Sequence, residues 1–203
     1  KAFADAGYHK QVFNRLHEPF QSMKTVISAT DWDNFFWLRN DKDADPTLHE
    51  LAKQMQEAYD NSTPTLLKAG EWHTPYVYTE NGKYFLDEDF KEEVSLEDAS
   101  RVSVARTAAV SFRNVDYGVE KSREVFDRLV GTERKHASAF AHCATPIKAT
   151  NTKSKPAVNV PWQPGTWEEG ISHVTREGQF YSGNLKGFIQ YRKLIIGENY
   201  VVH

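Results

Sequence analysis

Apolar positions recur at helical spacing in three stretches of the chain. After Asp45-Pro46, an N-cap followed by proline at the first helical position, come Leu48, Leu51, Ala52, Met55, Ala58 and Tyr59. Ser95-Leu96-Glu97-Asp98 reads as a capping box and leads into Val102, Ala105, Arg106 and Ala109. From Glu120 to Val130, the residues Val125, Phe126, Leu129 and Val130 share one side, and Gly131 is placed to end that helix. A fourth helix is expected from Asp5 to His17, stopped by Pro19. A fifth, shorter one covers Trp32 to Leu38, with Asp31 as its cap.

Strand patterns are fewer. Thr25-Val26-Ile27-Ser28 is β-branched, and Gly187 to Ile196 mixes aromatic with β-branched residues, so both read as strands. Tyr76 to Phe85 reads as a hairpin turned at Asn81-Gly82, a pair that tolerates positive φ at both central positions. Lys148 to Gly165 is polar and proline-bearing, and is expected to be an irregular loop. The pattern as a whole predicts an α+β domain spanning 1–203, with more helix than strand, in which helices pack around a small, mostly antiparallel sheet.

Composition narrows the function classes. The 203 residues carry 25 basic and 28 acidic side chains, a net charge of −3, which excludes a generally basic protein that coats nucleic acid. The longest aliphatic run is Leu194-Ile195-Ile196, far below the roughly 20 residues of a membrane span. One cysteine, Cys143, excludes an internal disulfide framework and a cysteine-only zinc site. These features fit a soluble protein of a reducing compartment, the cytoplasm, with no membrane or nucleic-acid partner.

Candidate chemistry is sparse on residue types alone. Arg15 and Arg39 are guanidinium forks suited to phosphate or to a planar imide, and equally ordinary surface residues. His136 and His142, six positions apart, would stand about 240° apart on a helix, which disfavours a zinc pair. Ser111 lacks the glycine-flanked elbow of a nucleophilic serine. Trp72 and His73 read as packing of a connecting loop, and Cys143 as a small buried hydrophobe.

Four blocks in order nevertheless resemble the flavin-dependent thymidylate synthases, in the arrangement found in bacteriophages and some bacteria. The first runs from His9 to Phe20, with Asn14-Arg15-Leu16-His17-Glu18-Pro19, into the most specific stretch, Thr25-Val26-Ile27-Ser28-Ala29-Thr30-Asp31-Trp32-Asp33-Asn34-Phe35-Phe36-Trp37-Leu38-Arg39. The second runs from Ser62-Thr63-Pro64 to Glu71-Trp72-His73-Thr74-Pro75-Tyr76. The third joins Ser103-Val104-Ala105-Arg106 through Ser111-Phe112 to His136-Ala137-Ser138-Ala139-Phe140-Ala141-His142, and the fourth is Ser182-Gly183-Asn184-Leu185-Lys186-Gly187 with Phe188 to Lys193. The better-known enzymes carry the third block first and the Asn-Phe-x-x-Leu-Arg block last, so the order here resembles a permutation of the same parts.

The resemblance implies an enzyme of nucleotide biosynthesis that methylates dUMP to dTMP in a bacterial or phage-infected cytoplasm. It implies FAD as cofactor, NADPH as reductant, methylenetetrahydrofolate as one-carbon donor, and a homotetramer. Arg39 would contact and polarise the pyrimidine ring, and Arg15 the nucleotide phosphate. Asn34, Ser111, His136 and Ser138 would contact flavin or line the flavin and folate site.

The chain also departs from the family. The Arg-His-Arg (or Thr-His-Arg) signature, which in the phage-type order precedes the first block, is not among these residues. Ala139 and Ala141 replace the usual proline and glutamate, and Ala109 stands where an arginine is expected. A separate N-terminal polypeptide, a segment of the same gene product, or a homologue that keeps the fold without turnover would each account for the missing signature. The non-methionine first residue favours the first two. Two further readings stay open: a catalytically altered or inactive nucleotide-binding subunit, and a pyrimidine hydroxymethylase.

Overall fold

Asp45 closes the N-terminus of the longest helix as its sequence requires. Its Oδ1 accepts from the backbone N–H of Thr47 (3.1 Å) and of Leu48 (3.0 Å), and the helix continues as Pro46–Asp60. The computed structural model describes residues 1–112, 117–148 and 167–199. Among these, the helices are α1 (Ala2–Asp5), α2 (Lys10–Asn14), α3 (Asp33–Arg39), α4 (Pro46–Asp60), α5 (Leu96–Ala109) and α6 (Val119–Val130). The strands are β1 (Tyr78–Glu80), β2 (Lys83–Phe85), β3 (Glu93–Val94), β4 (Ala144–Pro146), β5 (His173–Val174), β6 (Phe180–Ser182), β7 (Leu185–Lys186) and β8 (Phe188–Gln190).

The mixed α+β character holds, and every pairing among the described strands is antiparallel. The single small sheet does not. There are three separate sheets, ordered β1-β2-β3, β4-β8 and β5-β6-β7. Strands of two or three residues bury too little surface to stand alone, so β1-β2-β3 leans on α5 and β5-β6-β7 packs against β8.

The first hairpin turns at Asn81 (φ 51°) and Gly82 (φ 76°), both positive, which is the type I′ geometry that matches strand twist. A second tight turn at Gly183-Asn184 has positive φ only at Gly183 (59°), the type II′ pattern. The positive φ favours glycine there, and a Cβ would also displace the Gln190 amide, whose Oε1 would lie 2.5 Å away.

Ser95 caps α5 by accepting from the Asp98 backbone N–H at 3.1 Å. The helix is buried on nearly all sides, including Ala99, Val102, Val104, Ala105 and Ala109, as befits the central element of the fold. Packed on it are α6 and the 3-10 turn Ala137–His142. Val104, Ala139, Phe140 and Cys143 form one core cluster, flanked by Trp72, Phe126 and Tyr191. Ile147, Phe180 and Ile189 form a second, under the β5-β6-β7 sheet. Cys143 is fully buried, as read from the sequence. Burial pushes its thiol up to about 12, and it donates to Ser103 Oγ at 3.2 Å.

Several expectations are corrected. The helix read over 5–17 is α1 and α2 separated at Gly7 (φ 76°), and Pro19 lies inside a 3-10 turn, Arg15–Phe20, instead of ending a helix. A local apolar pattern without a surface to pack on does not sustain one long helix. The described side chains of 1–25 are all exposed, including Phe3, Tyr8, Val12, Leu16, Phe20 and Met23. Thr25 to Ser28 is not a strand, since no neighbouring strand offers it a ladder. Asp31 does not cap α3; its carboxylate is taken by Lys186 and Tyr181. The strand read over 187–196 stops at Gln190 and becomes a 3-10 turn, Tyr191–Leu194. The irregular loop read over 148–165 lies outside the described residues apart from Lys148. Among the described residues, no helix is long and apolar enough to cross a membrane.

Candidate functional site

A cleft of about 770 Å³ opens where five separated parts of the chain meet. Its walls are residues 27–30 and Trp32, then Pro64, Thr65 and Leu67, then the run 72–79, and finally His142, Ala144, Leu185 and Phe188. Each of the four sequence blocks contributes to it. That volume falls within the range of sites that enclose a small organic ligand.

Local structure explains how each wall is held. The backbones of His73 and Ala144 exchange hydrogen bonds of 2.7 and 3.2 Å, which ties the 72–79 segment to β4. Two groups from α5 fix the same segment: Ser103 Oγ donates to the Pro75 carbonyl (2.6 Å), and Arg106 Nη1 to that of Tyr76 (2.7 Å). Tyr76 has φ 64°, a conformation a bulky residue adopts only when its surroundings impose it. On the opposite wall, Asn184 Nδ2 donates to the Ser28 carbonyl (2.8 Å) and the Lys186 N–H to Thr30 Oγ1 (2.7 Å). Lys186 also pairs with Asp31, whose other oxygen accepts from the Tyr181 hydroxyl at 3.0 Å. The bond from Lys186 holds the Asp31 carboxyl below its usual range.

Two histidines face this space. His142 is half-buried, and its Nδ1 lies 3.0 Å from Ser28 Oγ. His73 keeps exposed surface, yet the protein packed around its ring lowers its proton affinity by desolvation. Desolvation lowers that of His142 too, with a further contribution from a charge on His73. Both imidazoles are therefore held toward the neutral form. Among the described residues, none lining the cleft is lysine, arginine, aspartate or glutamate.

Acidification is expected to weaken the fold through these two rings. Their folded proton affinity lies below the unfolded one, so the unfolded chain binds more protons and stability rises with pH. Their contribution is present above about pH 6.5 and is lost as pH falls through that value toward the lower folded ones. Urea midpoints measured from about pH 7.5 down to 5 check this, and His142→Gln should flatten the decline.

The six residues singled out in the sequence lie elsewhere. Arg15 begins the 3-10 turn Arg15–Phe20, Asn34 and Arg39 lie at the two ends of α3, and all three are exposed. Five positions of helix separate Asn34 from Arg39 by about 140°, so they share an element but not a face. Ser111, His136 and Ser138 are exposed on turns after α5 and after α6. None of the six lines the cleft. Neither Arg15 nor Arg39 makes a hydrogen bond or ion pair with a described residue, so both guanidinium groups are free to take a ligand.

No family model, curated protein or solved structure matches the chain.

The cleft's lining is rich in aromatic side chains. Trp32, Trp72, Tyr76 and Tyr78 line it, and Thr74 Oγ1 is enclosed in its wall without a hydrogen-bond partner among the described residues. The four flavin contacts carried over by resemblance stand outside it. The residues that sequence reading missed are Ser28, His73, Thr74 and His142. The dense run Trp72-His73-Thr74-Pro75-Tyr76 was the available signal, since two aromatics, a histidine and a hydroxyl beside a proline are unusual for a plain connecting loop.

Proposed function

We propose that the chain is the larger part of a flavin-dependent thymidylate synthase, methylating dUMP with a one-carbon unit from methylenetetrahydrofolate. The observation that carries this reading is convergence: the four blocks that resemble the family, far apart in sequence, meet around one cleft. Two uncommitted guanidinium groups add to it. In this reading Arg15 takes the nucleotide phosphate, and Arg39 donates to the imide edge of the pyrimidine and draws electron density toward it, polarising the ring for attack at C5. When bound, FAD reduced by NADPH supplies the hydride that completes the methyl group. Residues 1–203 contribute binding, orientation and exclusion of water. The exposed apolar side chains Phe20 and Trp37, 86% and 76% accessible, are surfaces that a homotetramer would cover, bringing groups from several chains to each site.

The test supplies FAD, NADPH, methylenetetrahydrofolate and C5-tritiated dUMP, together with the polypeptide that carries the Arg-His-Arg-type signature. Tritium release is expected, and Arg39→Ala should lower it by about 100-fold, the scale of losing one donor aimed at developing charge. A protein that retains no flavin on gel filtration and releases no tritium would overturn the reading in favour of a nucleotide-binding subunit.

A further inference from the structure

The α3–α4 hairpin carries a small core of its own. Trp32 stacks on Phe36 (5.8 Å between centroids), Phe36 meets Tyr59 (5.7 Å), and Ala52 is fully buried. Asn40 Nδ2 donates to Gln56 Oε1 (2.7 Å), tying the end of α3 to α4. Each helix has the other as its main packing partner. Neither apolar core cluster of the remaining fold contains a residue from 25–66.

Two stretches of chain join this hairpin to the body. Downstream, residues 63–67 make no hydrogen bond with a described residue, and Pro64 has no N–H to give. Upstream, Ser28, Thr30 and Asp31 make all the hydrogen bonds that join described residues of 25–66 to those of 67–199. The Ser28 carbonyl accepts from Asn184 Nδ2 (2.8 Å), and Ser28 Oγ lies 3.0 Å from His142 Nδ1. Thr30 Oγ1 accepts from the Lys186 N–H (2.7 Å), while the Asp31 carboxylate takes both the Lys186 ammonium and the Tyr181 hydroxyl. The side chains of Asp31 and Lys186 are 46% and 38% exposed, so water and salt compete for that pair.

Units that share a large apolar interface move as one, whereas units joined by a few exposed polar bonds keep their relative freedom. Both connectors also line the cleft, with 27–30 and Trp32 from the first and Pro64, Thr65 and Leu67 from the second.

We infer that the α3–α4 hairpin is a hinged lid on the cleft, turning at 63–67 and latched by Asp31 against Lys186 and Tyr181. Release of the latch swings the hairpin away, taking Trp32 from the cleft wall and carrying Arg39 at the end of α3. The lid admits and retains a ligand whatever reaction the cleft serves, so it goes beyond the proposed function and does not depend on it.

Cys143 is fully buried, so thiol-directed spin labels attach at introduced positions. Lys53→Cys on α4 with Asp127→Cys on α6 spans lid and body, and Glu88→Cys with Asp127→Cys lies within the body; all three positions are exposed. Distances between the labels are read by double electron–electron resonance. The parent should show one dominant lid–body distance. Asp31→Ala removes both partners of the latch and should raise the population at a second distance about fivefold, and Lys186→Met about threefold. Raising salt from about 0.05 to about 1 M should act on the parent in the same direction and barely on Asp31→Ala. The body pair should keep its distance throughout. The inference is overturned if parent and both variants share one lid–body distribution, or if the body pair broadens along with it, since the variants would then be loosening the whole fold.

Discussion

Arg106→Leu is expected to cost about 3–5 kcal/mol of stability, among the largest effects of any single change in this chain. The residue is 7% exposed, and its guanidinium donates from Nη1 to the carbonyls of Tyr76 (2.7 Å) and Leu86 (3.2 Å) and from Nε to that of Tyr117 (3.1 Å). Leucine fills part of the volume but leaves three carbonyls without their donor, the one at Leu86 buried, at about 1–3 kcal/mol for each buried group left unmet. With a slope of about 2–3 kcal/mol per molar, the urea midpoint should fall by roughly 1–2 M. Because the same donor anchors the backbone of Tyr76, which lines the cleft, the variant should also disturb that wall. A midpoint within about 0.3 M of the parent would show that the carbonyls find other partners.

Phe140→Ala should cost a similar amount by another route. The ring is fully buried and packs edge-on against Phe126 (5.1 Å between centroids) and Tyr191 (5.5 Å). Truncation removes these contacts and leaves a cavity that α5 and α6 cannot close, an effect of about 3–5 kcal/mol. For a chain of this size that corresponds to a fall in melting temperature of roughly 6–20 °C. Phe140→Leu should recover most of it, which separates packing from any role of the residue in ligand binding.

These two positions also mark what sequence reading can and cannot reach. The caps at Asp45 and Ser95 and the Asn81-Gly82 turn were legible because each depends on a few adjacent residues. Arg106 was read as part of a helix face, since its acceptors lie 11, 20 and 30 residues away and nothing local announces them. Asp31 had every local feature of an N-cap, but a bond to Lys186 competes for the carboxylate and wins. The cleft was illegible for the same reason. Ser28 and His142 are 114 positions apart, and only the folded chain shows that one orients the other. The motif residues Arg15 and Arg39 stood out by residue type, whereas their placement on the surface depends on packing that composition does not encode.

The clasp of Asp31 by Lys186 and Tyr181 has a consequence for biosynthesis. It joins positions 155 residues apart, and Asn184 reaches back 156 residues to Ser28. A ribosome must therefore release the stretch from Ser28 through Lys186 before the first wall of the cleft meets its last, while α4, α5 and α6 can form as they emerge. Until then the aromatic lining faces solvent, so the interval between synthesis of Trp32 and of Phe188 is when the nascent protein is most open to chaperones and to misassociation.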